Sequence, residues 1–161
     1  MIEEPRIVTQ DSFRAAMVPI RAPAEHIRDE MPKAIREIVE AMQAQGTMPI
    51  GPMFAFHAHP PGEVFDFELG FPVAGDMAST GRVLGGEYPA LKVVQTVYSG
   101  PYEGLPDAWL AFVETLEARD FLARAGVERD GRVLERYLAG PERSDDPADW
   151  RTELNFPLLG A

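Results

Sequence analysis

The sequence predicts an α+β fold: a strand–helix–strand–strand unit occurs twice, forming an antiparallel sheet with two helices on one face and a ligand cleft between the repeats. Three observations predict it. Phe65-Asp-Phe-Glu-Leu-Gly-Phe-Pro-Val73 aligns with Trp150-Arg-Thr-Glu-Leu-Asn-Phe-Pro-Leu158 at a constant offset of 85 (153 − 68 and 157 − 72), with Glu, Leu, Phe and Pro identical. An internal repeat of this kind dictates the architecture. Two stretches carry apolar residues at i, i+4, i+7 and i+11, the spacing of one helical face: Met31, Ile35, Ile38 and Met42, then Leu105, Trp109, Phe112 and Leu116. Between them, Phe65, Phe67, Leu69 and Phe71 alternate with Asp66, Glu68 and Gly70, which is the period of a strand.

The elements follow in order. Arg6–Gln10 and Phe13–Arg21 read as a first strand bulged at Asp11-Ser12, closed by Pro19 and Pro23. Asp29 is the expected N-cap of the first helix, Pro32 falls in its first turn, and Gly46 ends it in a left-handed conformation. Met53–Ala58 and Val64–Val73 are strands joined by His59-Pro-Pro-Gly62. The glycine-rich stretch 73–86 is a linker with a short strand near Arg82–Leu84. Val93–Tyr98 is the next strand, and Ser99-Gly-Pro-Tyr-Glu-Gly104 turns it into the second helix, which Gly126 ends. Val133–Ala139 and Asp149–Leu158 complete the set. The expected organisation is a single domain over 1–161, with repeats at about 6–73 and 82–158.

Composition narrows the function. There is no cysteine, so disulfides, thiolate metal sites and cysteine nucleophiles are excluded. The acidic N-terminus does not read as a signal peptide, and no apolar run reaches the roughly 20 residues of a membrane span. A cytoplasmic protein is the expectation. The net charge of −11, from 26 acidic and 15 basic residues, disfavours nucleic acid and anionic membranes as partners. No phosphate-binding glycine loop or serine triad is evident. His57 and His59 share a strand face but lack a third ligand, so neither metal nor cofactor is expected.

The segments VVQTVYSGPYEGLPDAWLAF, ERYL and TELNFPL together resemble the GyrI-like family, the effector-binding domain of AraC-type and MerR-type multidrug regulators. The resemblance spans about Arg82–Leu158, and the repeat extends it weakly to the first half. It implies a duplicated strand–helix–strand–strand fold that binds bulky lipophilic cations beside buried carboxylates. This chain shows no helix-turn-helix segment, so a free-standing form is expected, as monomer or homodimer, with a separately encoded protein partner as one route of action.

Glu135 is the leading site residue. Alternation places it with Val133, Tyr137 and Ala139, a carboxylate among apolar neighbours. Burial of an unpaired carboxylate costs several kcal/mol, roughly, and raises its pKa. Spacing alone also allows an edge-strand glutamate paired with Arg136 or Arg132; the resemblance matches Glu135 to the family's pocket carboxylate. Alternation sets Glu153 on a solvated face with Arg151 and Asn155, whereas the family's Thr-Glu motif places a carboxylate by the pocket. Glu68 is its repeat mate and would sit across the pseudo-twofold, though it reads more readily as a surface strand residue. Tyr137 offers a ring and a hydroxyl. Tyr102 follows a Gly-Pro turn, as core seal or pocket rim. Trp109 lies on the helical stripe, as core or ligand contact. Setting Pro60 against Pro141 makes Phe54 and Phe56 the counterparts of Glu135 and Tyr137. The reading is a pocket for hydrophobic, cationic organic compounds. Two alternatives stand beside it: a hydrolase of small electrophiles with Glu135 as general base and Tyr137 as its catalytic partner, and a protein-interaction module such as a gyrase inhibitor.

Overall fold

A computed structural model describes Met1–Leu159. The strands and helices in chain order are β1 (Arg6–Gln10), β2 (Phe13–Pro23), α1 (Ile27–Ala44), β3 (Phe54–His57), β4 (Val64–Val73), β5 (Leu84–Tyr88), β6 (Leu91–Ser99), α2 (Leu105–Ala118), α3 (Phe121–Ala125), β7 (Glu128–Arg129), β8 (Val133–Ala139) and β9 (Arg151–Leu159). They fall into two compact units. One is Asp11–Ala90; the other is Met1–Gln10 together with the chain from Leu91 onward. Each is an antiparallel sheet built on a strand–helix–strand–strand unit, so the α+β class and the duplication both stand.

In the unit Asp11–Ala90 the strand order is β3-β4-β2-β5. In the other it is β8-β9-β6-β1, with β7 also pairing with β9. The two orders match strand for strand. In both, the first strand of the repeat sits between the last strand and a short edge strand. The edge strands are exchanged in sequence: β1 precedes the first repeat but pairs with β6, and β5 precedes the second repeat but pairs with β2. The single bulged strand expected over Arg6–Arg21 is therefore two strands in different units, parted at Asp11-Ser12. Val8 faces Val93 and Ile7 faces Val94 across the ladder, so β1 follows the β-branched surface of β6.

The helices also start and stop for local reasons. A 3₁₀ turn over Ala24–His26 leads into α1, so Asp29 lies in the first turn, where its charge complements the helix dipole, and is not the N-cap. Pro32 lies inside α1 rather than in its first turn. Gly46, at φ +67°, follows the last turn of α1 in the left-handed region. Asp120, at φ +53°, separates α2 from α3, so the second helix ends earlier than Gly126, which closes α3 instead.

Alternation gives each sheet two distinct faces. In the unit that contains α2, Val94, Tyr98, Val133, Leu154 and Phe156 share a face and pack against Ala108, Phe112 and Leu116 of the helix. Each such large side chain contributes roughly 1.5–3 kcal/mol by leaving water. The opposite face carries a polar network beside the buried Val93 and Leu134. Arg6 donates to the Gln95 side-chain oxygen at 3.1 Å, Gln95 donates to Asn155 at 2.9 Å, and Asn155 donates to Glu153 at 3.1 Å. In the unit Asp11–Ala90, Ala16, Val18, Ile20, Phe67 and Leu69 form one buried face. Its other face carries an aromatic cluster. Tyr88 is stacked between Phe13 and Phe56, at 4.9 and 5.6 Å between centroids, with Phe54 edge-on at 5.3 Å.

Candidate functional site

Glu135 sits in the middle of β8, directly across the ladder from Leu154. That register places its carboxylate on the apolar face that α2 covers. The residue is 8% exposed. Its two oxygens are held separately: the Trp109 indole N–H donates to one at 2.7 Å, and the Tyr137 hydroxyl donates to the other at 2.8 Å. Among the described residues no ion pair reaches Glu135.

The electrostatics follow from this. Burial pushes the Glu135 carboxyl above the usual carboxylate range, and the two donors pull it partly back. Hydrogen bonds to a charged group contribute about 1.5–3 kcal/mol each, against a burial cost of several kcal/mol. The net upward direction says that burial wins. Tyr137 is pushed well above the ordinary phenol value by burial and then by the Glu135 charge, so it remains a donor at any physiological pH.

Aromatic rings extend from this carboxylate. Trp109, one turn before Phe112 on α2, packs edge-on against Phe156 at 5.0 Å between centroids. Tyr102, in the 3₁₀ turn that opens α2, meets Tyr137 edge-on at 5.9 Å and Trp150 at 5.0 Å. Tyr102 is raised by burial and then by Glu142. Trp150 is fixed from both sides: its indole donates to the Ser144 carbonyl at 2.9 Å, and its own carbonyl accepts from the Gly100 amide at 3.0 Å. The Ser144–Asp149 and Asp146–Ala148 hydrogen bonds brace the intervening turn. A Cβ at Gly140 would collide with the Tyr102 hydroxyl, so glycine there lets the ring lie close to the chain. The ladder between β8 and β9 shifts register between Tyr137 and Ala139, a bulge of the kind that re-aims side chains at sites.

Of the residues the sequence pointed to, Glu135, Tyr137, Trp109 and Tyr102 come together here. The others do not join them. Glu153 faces the opposite side of the same sheet, where its carboxylate accepts from Asn155 and lies 3.8 Å from Arg136. Glu68, Phe54 and Phe56 lie in the unit Asp11–Ala90, on the face of the aromatic cluster, where the Tyr88 hydroxyl donates to Glu68 at 2.7 Å. The proposed match of Phe54 and Phe56 to Glu135 and Tyr137 is corrected by the ladders. Glu135 pairs with Leu154, and the residue paired with the equivalent Leu69 is Ala55; by the same register Tyr137 corresponds to His57. One residue of slip turns every side chain to the other face. Trp150 and Thr152 also lie here, and spacing alone does not mark them as site residues. Trp150 had a signal, since it opens the repeated segment as Phe65 does. Thr152 is fully buried beside Tyr137 with no partner for its hydroxyl among the described residues.

A surface groove of about 690 Å³ elsewhere on this unit is lined by Ile7, Arg119, Phe121, Arg124 and Ala125. Its arginines make it a poor host for a cation. Among the described residues no group of His, Asp or Glu is arranged to hold a metal ion, and no helix is long and apolar enough to cross a membrane.

Comparison with known proteins decides the family. The model of the GyrI-like small molecule binding domain matches residues 3–159. The chain belongs to this family. It is a small-molecule-binding GyrI-like domain. No curated protein sequence matches it. Among solved structures it is similar to the C-terminal domain of EcmrR, at 20% identity and a TM-score of 0.80, with 98% of each chain covered. It spans 58% of the EcmrR chain in a complex with DNA, at 21% identity and a TM-score of 0.78. It is also similar to a hydrolase from Listeria innocua (16% identity, TM-score 0.67, 97% of this chain and 92% of that one). A third likeness is to SAV2435 bound to tetraphenylphosphonium (13%, 0.65, 98% and 95%). At these identities the structural matches show a shared fold. Among the described residues of this unit, Glu135 is the buried carboxylate, and both of its hydrogen-bond donors are aromatic side chains.

Proposed function

We propose that this GyrI-like chain binds lipophilic organic cations at Glu135, with Trp109 and Tyr137 holding the carboxylate and Tyr102 and Trp150 supplying aromatic surface. The observation that carries the reading is a carboxylate that is 8% exposed and held only by neutral donors. Such a group carries an uncompensated burial cost, and a cation brought to it relieves that cost. A large organic cation with delocalised charge is the natural partner, because it gives up little hydration on leaving water. The rings add cation–π attraction of roughly 0.5–2 kcal/mol when the contact is desolvated. The likeness to SAV2435, whose structure holds tetraphenylphosphonium, supports the same ligand class. Sequestration or sensing of such compounds is the proposed role, within the cytoplasm.

The hydrolytic alternative would use Glu135 as a general base. Burial raises the basicity of the carboxylate overall, but both of its oxygens already accept a hydrogen bond from a protein side chain, so neither is reserved for a water. The geometry therefore favours binding.

The test is calorimetric titration with tetraphenylphosphonium and, as a neutral analogue, triphenylphosphine oxide. The phosphonium is expected to bind and the oxide to bind at least about tenfold more weakly, a difference of about 1.4 kcal/mol. Glu135→Gln should remove that preference. Equal affinities for the two compounds in the wild type would reject a charge-selecting site.

A further inference from the structure

We propose that the unit Asp11–Ala90 carries a second, uncharged ligand site at His57, which takes the hydroxyl of a neutral phenolic compound. This site does not rest on the cation reading, and it uses none of the same residues.

The argument begins with register. His57 and Ala55 occupy in β3 the places that Tyr137 and Glu135 occupy in β8. In β8 the two side chains satisfy each other, Tyr137 donating to Glu135. In β3 the carboxylate position is a methyl group, so the ring at the next place has lost its intramolecular partner. The consequence is visible: His57 is 3% exposed, and its Nδ1 has no hydrogen-bond partner among the described residues. A buried polar atom left without a partner is uncommon in folded proteins and calls for one from outside the chain, a water or a ligand.

The chemistry of the surroundings selects that group. The imidazole stacks on Phe67 at 4.8 Å and 22°, and Phe65 meets it edge-on at 5.9 Å. Phe65 is half-buried, which leaves part of an aromatic wall beside the imidazole. Burial, with His59 adding to it, holds His57 down to about 4, so the ring is neutral at physiological pH. With its proton on Nε2, the orphan Nδ1 is an acceptor. An acceptor nitrogen among phenyl rings suits a neutral O–H donor carried on an aromatic ring. A cation has no counter-charge at Ala55, and an anion would meet Asp66, which already acts on His57 electrostatically. Phenol is the simplest compound with the required pairing.

The experiment uses the full chain labelled with 15N in its histidines and titrated with phenol. The His57 Nδ1 resonance is expected to move upfield with a saturable dependence on phenol, as it gains a hydrogen bond. His57→Phe, which keeps a ring of similar size, is expected to weaken phenol binding about five- to tenfold, the worth of one hydrogen bond. Glu135→Gln is expected to bind phenol as the wild type does. A His57 resonance unmoved by phenol, or undiminished binding in His57→Phe, would overturn the proposal and leave an ordered water as the partner of Nδ1. Loss of phenol binding in Glu135→Gln would overturn it too, by tying the phenol to the other site. Failure of tetraphenylphosphonium to bind while phenol still moves His57 would sink the cation reading alone.

Discussion

Replacing Glu135 by glutamine separates the cost of the buried charge from its use. The amide is isosteric: its oxygen accepts from the Trp109 indole and its nitrogen donates to the Tyr137 hydroxyl oxygen, so both contacts of 2.7 and 2.8 Å persist in altered form. What disappears is the charge. A carboxyl with a folded-state pKa above its unfolded value favours folding while protonated. That contribution is complete below about 4.5 and is lost as pH rises through the raised pKa. At about pH 7.5 the wild type therefore carries a net penalty on the order of 1–2 kcal/mol, the excess of burial over two charge-assisted hydrogen bonds. Glu135→Gln should raise the Tm there by about 2–8 °C for a chain of this size. Below about pH 4.5 the two proteins should melt together. Saturating tetraphenylphosphonium should reverse the order at neutral pH: at 100-fold over its Kd it adds about 2.7 kcal/mol to the wild type and little to the variant. Thermal unfolding across pH, with and without the cation, reads all of this. A variant less stable than the wild type at neutral pH, or an advantage that does not change with pH, would refute the claim of an uncompensated charge.

Three further outcomes follow from single contacts. Trp109→Phe removes the donor to one Glu135 oxygen, so it should destabilise by about 1.5–3 kcal/mol at neutral pH beyond its packing loss, with the difference shrinking in acid; urea unfolding at two pH values checks it. His57, held near 4 in the fold against an ordinary 6.5, should lose about 3 kcal/mol of stability as pH falls from 6.5 through 4, because the unfolded chain takes up the proton first. His57→Phe should flatten that acid limb of a pH–stability curve, and a limb unchanged in the variant would assign it elsewhere. Asn155→Ala removes a fully buried amide that bonds to Gln95, Glu153 and the Leu134 carbonyl, and should cost about 2–4 kcal/mol, read as a lower urea midpoint at unchanged slope.

Glu135 and Tyr137 were legible because a strand sends residues i and i+2 to one face, and the repeat together with the helical stripes gave the element order. The identity of the donor to Glu135 was not. Trp109 lies on an apolar stripe, and nothing in one dimension tells whether an indole N–H will find a partner on a neighbouring strand. The exchange of β1 and β5 was hidden for a similar reason, since edge pairing is non-local and both strands are short. The misplacement of Phe54 and Phe56 has a sharper cause. Pro60 and Pro141 lie in turns spanning 58–63 and 140–150, so a match anchored on them drifts by one residue, whereas the ladder to Leu69 and Leu154 cannot drift. Correcting that residue changes what the duplication means. Equivalent positions hold Glu135 with Tyr137 in one unit and Ala55 with His57 in the other, and burial acts on both titratable groups toward the neutral form. For the carboxyl that raises the pKa; for the imidazole it lowers it. The two effects oppose each other on the pH axis: protonation of His57 destabilises the fold on the acid side, and ionisation of Glu135 destabilises it as pH rises. Neighbouring positions on one strand face thus hold a buried carboxyl in one repeat and a buried imidazole in the other, and each is driven to its neutral form.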